Sequence, residues 1–290
     1  MLAIQVVRFG GPEVLVAAEL EPPSPISTEV LVEVRAVGVN PVDVKTRRGS
    51  GVARWAGPPP FVPGWDMAGV VVQTGYGVTR FTVGDRVFGM PRFPRAGGAY
   101  AEYVTAPSLQ LARIPDGVDF VSAGALPLAA LTVWQSLEAV GLEPGQHLLV
   151  HGARGGVGHL AVQLARIRRA RVTGTGRGDE LPRETADVAL DLVGGAATDA
   201  ALAAVADGGV LVAVAEGAQE AVHARAASRG VRVLEPLVEP DGRSLDQIAA
   251  LLATGSLQVR VVQTLPLRAA ADAHRRLEAG GVSGKLVLAP

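Results

Sequence analysis

The sequence contains no cysteine. That absence excludes disulfide staples, cysteine-ligated zinc, iron–sulfur clusters and a thiol nucleophile together. Charge of either sign is not in excess: 27 Lys and Arg stand against 28 Asp and Glu, a formal net charge of -1. Such a balance gives no general attraction to nucleic acid or to an anionic membrane surface. Long apolar runs are missing as well. The longest uncharged stretch, residues 120–137, is broken by Ser122, Pro127, Thr132 and Gln135, so it reads as buried helix rather than a membrane span. Residues 1–10 lack the basic and apolar regions of a signal peptide, and a cytoplasmic location is expected.

What is present is an apolar chain, 48% hydrophobic over 290 residues, enough for one or two full cores. Up to about residue 110 it reads as short strands, at 30–37, 69–74, 86–89 and 99–104, with proline and glycine turns between them. From His147 the rhythm changes. Continuous apolar strands at 147–151, 171–175, 187–193, 210–215 and 231–234 alternate with helical patterns. Strands apolar on both faces suit a parallel sheet covered by helices. One helix follows the turn at 152–156, with Val157, Leu160, Ala161 and Leu164 on one face. Another follows a capping box of Ser244 and Gln247 and stops at Gly255. A last helix over about 269–279 precedes a strand at 285–288, which is expected to return to the first half.

The sharpest local signal is residues 147–158, His-Leu-Leu-Val-His-Gly-Ala-Arg-Gly-Gly-Val-Gly. A buried strand, a glycine turn and an amphipathic helix follow one another directly. Ala153, Gly155 and Gly158 have the spacing at which small residues let a pyrophosphate approach a helix N-terminus and let helix pack on strand. A tight turn with no ligand is the plain alternative. The second strand, ending at Thr175 and followed by Arg177, offers no acid before Asp179 for the ribose hydroxyls of NAD. Arg177, and Arg154 in the turn itself, instead suit the 2′-phosphate of NADPH. A solvated loop arginine is the alternative for each.

In this order the pieces resemble a zinc-free medium-chain dehydrogenase/reductase of the NADPH:quinone oxidoreductase-like branch. The resemblance covers nearly the whole chain. It rests on Gly-Val-Asn-Pro-Val-Asp-Val-Lys at 38–45, Val-Pro-Gly-Trp-Asp-Met-Ala-Gly at 62–69, Val-Gly-Asp-Arg-Val-Phe-Gly at 83–89, Gly-Ala-Tyr-Ala-Glu-Tyr-Val at 98–104, residues 126–135, the glycine turn, and Gly-Lys-Leu-Val-Leu at 284–288. It implies a GroES-like β-rich catalytic domain over 1–114, completed by 256–290, and a Rossmann cofactor-binding domain, a doubly wound parallel sheet, over 115–255.

The resemblance also implies roles. Asn40 would line the nicotinamide and substrate cleft, Thr132 would approach the nicotinamide-side phosphate or ribose, and Gly155, Gly156, Val157 and Gly158 would cradle the pyrophosphate of NADPH, with Thr175 and Arg177 at its adenosine end. Lys285 would reach the same region from the tail, and Lys45 is a candidate proton donor or substrate contact. The plain readings are an Asx turn for Asn40, a helix-carbonyl contact for Thr132, and surface positions for both lysines. Zinc-using relatives place His where Trp65 stands, so no metal is expected and Trp65 is read as a wall of the substrate cleft.

One departure is a matter of length. Relatives place a helix and a further strand between the second strand and the Asp-Xaa-Val-Gly-Gly segment, here 191–195. Residues 176–186 are only 11, and a strand–helix–strand crossover needs at least about 10–12 for its helix and loops alone, so the sheet is expected to lack one edge strand and its helix. The expected activity is hydride transfer from NADPH to a quinone or an α,β-unsaturated carbonyl compound. A tailoring enoyl reductase of natural-product biosynthesis is an alternative, and so is a degenerate, non-catalytic member that binds or has a structural role. Residues 257–262 read as the last strand of the Rossmann sheet, an edge through which a homodimer would form.

Overall fold

The computed structural model describes residues 1–176, 178–183 and 185–290. In chain order its elements begin with β1 (Leu2–Val6), β2 (Leu15–Glu19), β3 (Glu29–Val39), α1 (Pro41–Arg47), α2 (Ala53–Ala56), β4 (Met67–Thr74), β5 (Arg86–Gly89), β6 (Tyr103–Pro107), β7 (Leu111–Arg113), α3 (Phe120–Gly124) and α4 (Pro127–Ala139). They continue with β8 (His147–His151), α5 (Gly158–Ile167), β9 (Arg171–Thr175), β10 (Ala186–Asp191), α6 (Ala197–Ala204), β11 (Val205–Ala213), α7 (Glu220–Ser228), β12 (Arg232–Leu234), α8 (Gly242–Ala253), β13 (Val261–Pro266), α9 (Ala270–Ala279) and β14 (Lys285–Ala289). Two compact units result: Met1–Leu131 with Glu239–Pro290, and Thr132–Val238. These limits lie inside the boundaries expected at 114 and 256: α3 packs on β3 and β4, and α8 packs on β7, so both helices join the first unit.

In the first unit β3 is the spine. Its sequence, Glu-Val-Leu-Val-Glu-Val-Arg-Ala-Val-Gly-Val, is rich in β-branched residues that fit a pleated surface, and nearly all of it is buried. The sheet order is β13-β14-β3-β4-β5-β7, with β6 also pairing β3. Val32, Val34 and Val39 pack with Met67, Val87 and Leu286 in its core. The last strand runs antiparallel to β3, pairing Leu286 with Val39 and Leu288 with Val37. This register carries Lys285 to the end of β3, beside Asn40.

The second unit is a five-stranded parallel sheet of order β12-β11-β10-β8-β9. From β8 the chain first adds β9 on one side and then crosses to β10 on the other. The C-terminal ends of β8 and β10 therefore flank the point where the winding reverses, the place where open α/β sheets take their ligands. Among the described residues no further strand lies beyond β9, and those of 176–185 form none. The length count anticipates this.

Four expectations are corrected. Residues 257–262 do not close the parallel sheet: the strand is β13, and it pairs with β14 at the edge of the first unit's sheet, while β12 ends the parallel one. The strand expected at 99–104 begins at Tyr103 instead; before it, Tyr100 O accepts the Ile4 amide and Ala101 bridges Ala3, which ties the segment to β1. The strand expected at 210–215 starts earlier, at Val205. For α8 the cap is Asp241, whose carboxylate accepts the Arg243 and Ser244 amides at 2.9 and 3.2 Å, so Ser244 lies inside the helix and donates its hydroxyl back to Asp241 at 2.6 Å. No helix among the described residues is long and apolar enough to cross a membrane.

Candidate functional site

In the second unit, the turn between β8 and α5 is built by close backbone approach. The amides of Gly152 and Ala153 both donate to Thr175 O, at 2.9 Å each, which fastens the turn to the end of β9. A Cβ on Gly158 would lie 2.2 Å from Gly152 O and 2.6 Å from Ala153 Cα, so only glycine closes this strand–turn–helix. Gly155, Gly156 and Val157 are half-buried along the turn, Arg154 is exposed on it, and Thr175 is half-buried at the strand end. The turn thus brings Arg154, Gly155, Gly156, Val157, Gly158 and Thr175 together. Arg177 lies outside the described residues. Thr132 is buried on α4, the helix through which the chain passes from the first unit to the second.

Next to the turn stands a buried pair that sequence reading passed over. His151, the last residue of β8, places Nδ1 3.2 Å from Asp191 Oδ1 at the end of β10. Asp191 Oδ1 also accepts the Val193 and Gly194 amides at 3.0 and 3.2 Å, and Oδ2 the Thr198 hydroxyl at 2.7 Å. Burial works against the charge of Asp191, yet the His151 ring beside it and the hydrogen bonds from Thr198 and the two amides outweigh it and hold the carboxyl below its usual range. The Asp-Leu-Val-Gly-Gly segment was the available signal, since an acid before two glycines suits capping of the turn that follows the strand.

In the first unit, Asn40, Asp66 and Lys285 form one buried polar cluster. Asn40 is the N-cap of α1, with Pro41 at the first helical position. Its side-chain Nδ2 donates to Asp66 Oδ2 at 2.8 Å, and its Oδ1 accepts a hydrogen bond from Lys285 Nζ. Lys285 Nζ is also 3.2 Å from Asp66 Oδ2, while Asp66 Oδ1 accepts the Leu128 amide at 2.6 Å. All three side chains are nearly inaccessible, at 1%, 0% and 3% relative exposure. Gly38 makes room, for a Cβ there would meet Asp66 Oδ2 at 2.4 Å.

Lys45, half-buried on α1, lies on the helix that Asn40 caps. Trp65 is a correction. It is fully buried, donates Nε1–H to Arg95 O at 2.6 Å and meets Phe93 edge to face at 5.5 Å, so it fills the interior of its unit and walls no substrate cleft. Among the described residues no group of three or more His, Asp or Glu is arranged to hold a metal ion.

Comparison with known proteins agrees with both units. Residues 27–116 match the family model described as an alcohol dehydrogenase GroES-like domain, and residues 166–288 the one described as zinc-binding dehydrogenase. The quinone oxidoreductase of Rattus norvegicus is 38% identical over 182 residues, 62% of this chain and 54% of that protein; the chain spans about half the length of that curated relative in the match. The quinone oxidoreductase from Coxiella burnetii superimposes with a TM-score of 0.92 at 31% identity, covering 100% of this chain and 99% of that one. A structure described as an NAD-dependent alcohol dehydrogenase gives 0.88 at 32% identity, with 100% of both chains covered. The Escherichia coli quinone oxidoreductase, complexed with NADPH, gives 0.88 at 27% identity, again with 100% of both. Two units of these folds, the glycine-built turn and likeness over the full length leave one conclusion: the chain belongs to the medium-chain dehydrogenase/reductase family, in its quinone oxidoreductase-like branch.

Proposed function

We propose that the protein is a cytoplasmic, NADPH-dependent reductase of quinones or α,β-unsaturated carbonyl compounds that works without a metal. The observation that carries this reading is the β8–α5 turn, whose backbone leaves no space for a side chain at Gly158 and stands where the parallel sheet reverses its winding. A dinucleotide fits such a cradle. Gly155, Gly156, Val157 and Gly158 would hold its pyrophosphate, Thr132 and Thr175 its riboses or the nicotinamide-side phosphate, and Arg154 and Arg177 its 2′-phosphate. The reduced nicotinamide, when bound, supplies the hydride. Asn40 orients the reacting groups, with Lys285 fixing the Asn40 amide. Lys45 holds the proton that the enol or hydroquinone oxygen takes up. Zinc independence is supported by the lack of cysteine and by Trp65 where zinc-using relatives carry His.

The test is a titration followed by intrinsic tryptophan fluorescence, with NADPH and NADH in parallel, and then NADPH oxidation in the presence of 1,4-benzoquinone. A hydrogen bond to a charged group is worth about 1.5–3 kcal/mol, so Arg154→Ala and Arg177→Ala should each weaken NADPH roughly tenfold or somewhat more and leave NADH nearly unchanged. A wild-type preference for NADH sinks the 2′-phosphate assignment. The lack of a strand beyond β9 among the described residues favours a second reading, a degenerate family member that no longer takes the dinucleotide and has a binding or structural role instead. No NADPH binding tighter than roughly millimolar, about −4 kcal/mol, would decide for it.

A homodimer is the proposed assembly. Light scattering on the eluting protein should exceed the 29.8 kDa of one chain, and a mass equal to it at micromolar concentration excludes the dimer.

A further inference from the structure

The Asn40–Asp66–Lys285 cluster continues into a chain of buried groups for which the proposed reaction has no use. Asp43, Arg47, Tyr100 and His274 are all at 0% exposure. Asp43 Oδ2 accepts the Asn40 amide at 2.7 Å and lies 3.4 Å from the Tyr100 hydroxyl. That hydroxyl is 3.1 Å from His274 Nε2, and His274 Nδ1 is 3.4 Å from Arg47 Nη1. The other terminal nitrogen of Arg47 pairs with Glu278, which also takes Arg48 at 2.8 Å.

The direction of this chain follows from its first member. A guanidinium only donates, so His274 Nδ1 accepts, and a neutral imidazole then carries its hydrogen on Nε2. Burial first, and the charge of Arg47 second, lower the His274 pKa to about 3 and keep the ring neutral. Nε2–H donates to the Tyr100 oxygen, which leaves the single Tyr100 hydrogen for Asp43. The chain runs one way, from Arg47 through His274 and Tyr100, and ends on a carboxyl.

That carboxyl is the odd one out. Lys285 is paired with Asp66 and Arg47 with Glu278, so each buried cation already has its own acid. Asp43 faces Asp66, Lys285 and Tyr100, with His274, Arg47 and Glu278 behind Tyr100, and its Oδ1 is buried with no hydrogen-bond partner. Because Oδ2 takes both donors, a proton on this carboxyl sits on Oδ1.

We propose that Asp43 is a positioning residue whose proton keeps the Asn40–Asp66–Lys285 cluster in its working arrangement, and that the Arg47–His274–Tyr100 chain sets how tightly this proton is held. With Asp43 neutral, Lys285 has one carboxylate to serve and one amide oxygen to hold. Once Asp43 ionises, two carboxylates compete for the same ammonium, and Lys285 is drawn off Asn40. Burial chiefly, and the neighbouring Asp66, raise the Asp43 pKa to about 8, against the lowering effect of the Asn40 amide, Lys285 and the Tyr100 hydroxyl. The proton therefore stays on at neutral pH and leaves as the pH rises.

The link to turnover rests on the reductase reading; the titration of the cluster does not. Full-length protein labelled at aspartate 13Cγ and lysine 15Nζ is titrated from acid to alkaline pH by NMR, with Asp43→Asn identifying the Asp43 signal and Lys285→Arg the Lys285 signal. The expected result is an Asp43 signal that titrates near pH 8 with the Lys285 signal moving alongside it. In Tyr100→Phe, which removes a donor to the carboxylate form, both should move at higher pH. An Asp43 that is ionised throughout, or a Lys285 signal indifferent to its titration, overturns the proposal. In turnover with 1,4-benzoquinone, kcat falls above the same pH in wild type, falls later in Tyr100→Phe, and loses that fall in Asp43→Asn. A fall that persists in Asp43→Asn also overturns it. Protein that oxidises no NADPH defeats the reductase reading alone, and the NMR result then decides the positioning claim.

Discussion

Gly158→Ala should cost the protein about a hundredfold in dinucleotide affinity and lower its stability as well. The added methyl would sit 2.2 Å from Gly152 O and 2.8 Å from Gly152 C, both backbone atoms held by the hydrogen bonds from Gly152 and Ala153 to Thr175. No side chain can rotate away, so the start of α5 must shift. Misplacement of a binding group by ~1 Å costs on the order of a hundredfold, and overpacking of this kind destabilises by about 1–3 kcal/mol. Gly155→Ala is the control for stability alone, because within the chain its methyl meets only Gly152 O, at an ordinary 3.4 Å. Urea unfolding of both variants and NADPH titration of Gly158→Ala check the account. Equal stability of the two variants, or wild-type affinity in Gly158→Ala, refutes the tight-turn account.

The second large effect is on folding. Lys285→Met should destabilise by about 3–5 kcal/mol, the range found when one member of a buried ion pair is removed and its partner stays charged. That is a large share of the ~5–15 kcal/mol by which native proteins are stable. The methionine fills the same volume but leaves Asp66 with the Leu128 amide and Asn40 Nδ2 as its donors and no cation. Adding Asp66→Asn to Lys285→Met removes the stranded charge and should restore most of the loss. A double variant no better than Lys285→Met would show that a stranded Asp66 charge is not the source of the loss.

The same logic gives Asp43 a signature in stability. Its folded pKa lies above that of the unfolded chain, so the folded state binds the extra proton between those values. The contribution is complete below the unfolded value of about 3.9 and is lost as pH rises through about 8. Asp43→Asn, which never ionises, should therefore melt higher than wild type above pH 8, with the difference shrinking toward acid. His274 acts in the opposite sense, for its lowered pKa makes a contribution present above about 6.5 and lost as pH falls through about 3.

Much of the fold was legible because it is local. β8 and β9 lie where strand patterns end at glycine, and the lack of a strand beyond β9 among the described residues follows from counting residues before Asp191. What a strand pattern does not carry is its partner. β13 alternates as an edge strand should, yet nothing within it says that β14, not β12, is its neighbour. The site divides in the same way. The glycine turn is contiguous and declares itself, whereas Asn40 was visible only through the resemblance, with an Asx turn as its plain reading, and its place as the cap of α1 came from the structure. Tyr100 and His274 are 174 positions apart, and Arg47 and His274 are 227 apart, so no spacing relates them. His274 carries no local motif of its own. Trp65 was misplaced because a residue inferred to stand in for a metal ligand was assumed to keep the ligand's exposure.

The position of β14, between β13 and β3, has a consequence for how the molecule comes into being. Thr132–Val238 is one uninterrupted stretch and can close its core while the ribosome is still at work. The other unit waits: its spine strand is made early, but one neighbour of that strand is Lys285–Ala289. Until those residues emerge, the Val37–Val39 edge of β3 stays open and Asp66 lacks the Lys285 ammonium. The Asn40–Asp66–Lys285 cluster is therefore complete only when Lys285 arrives, close to the last residue made.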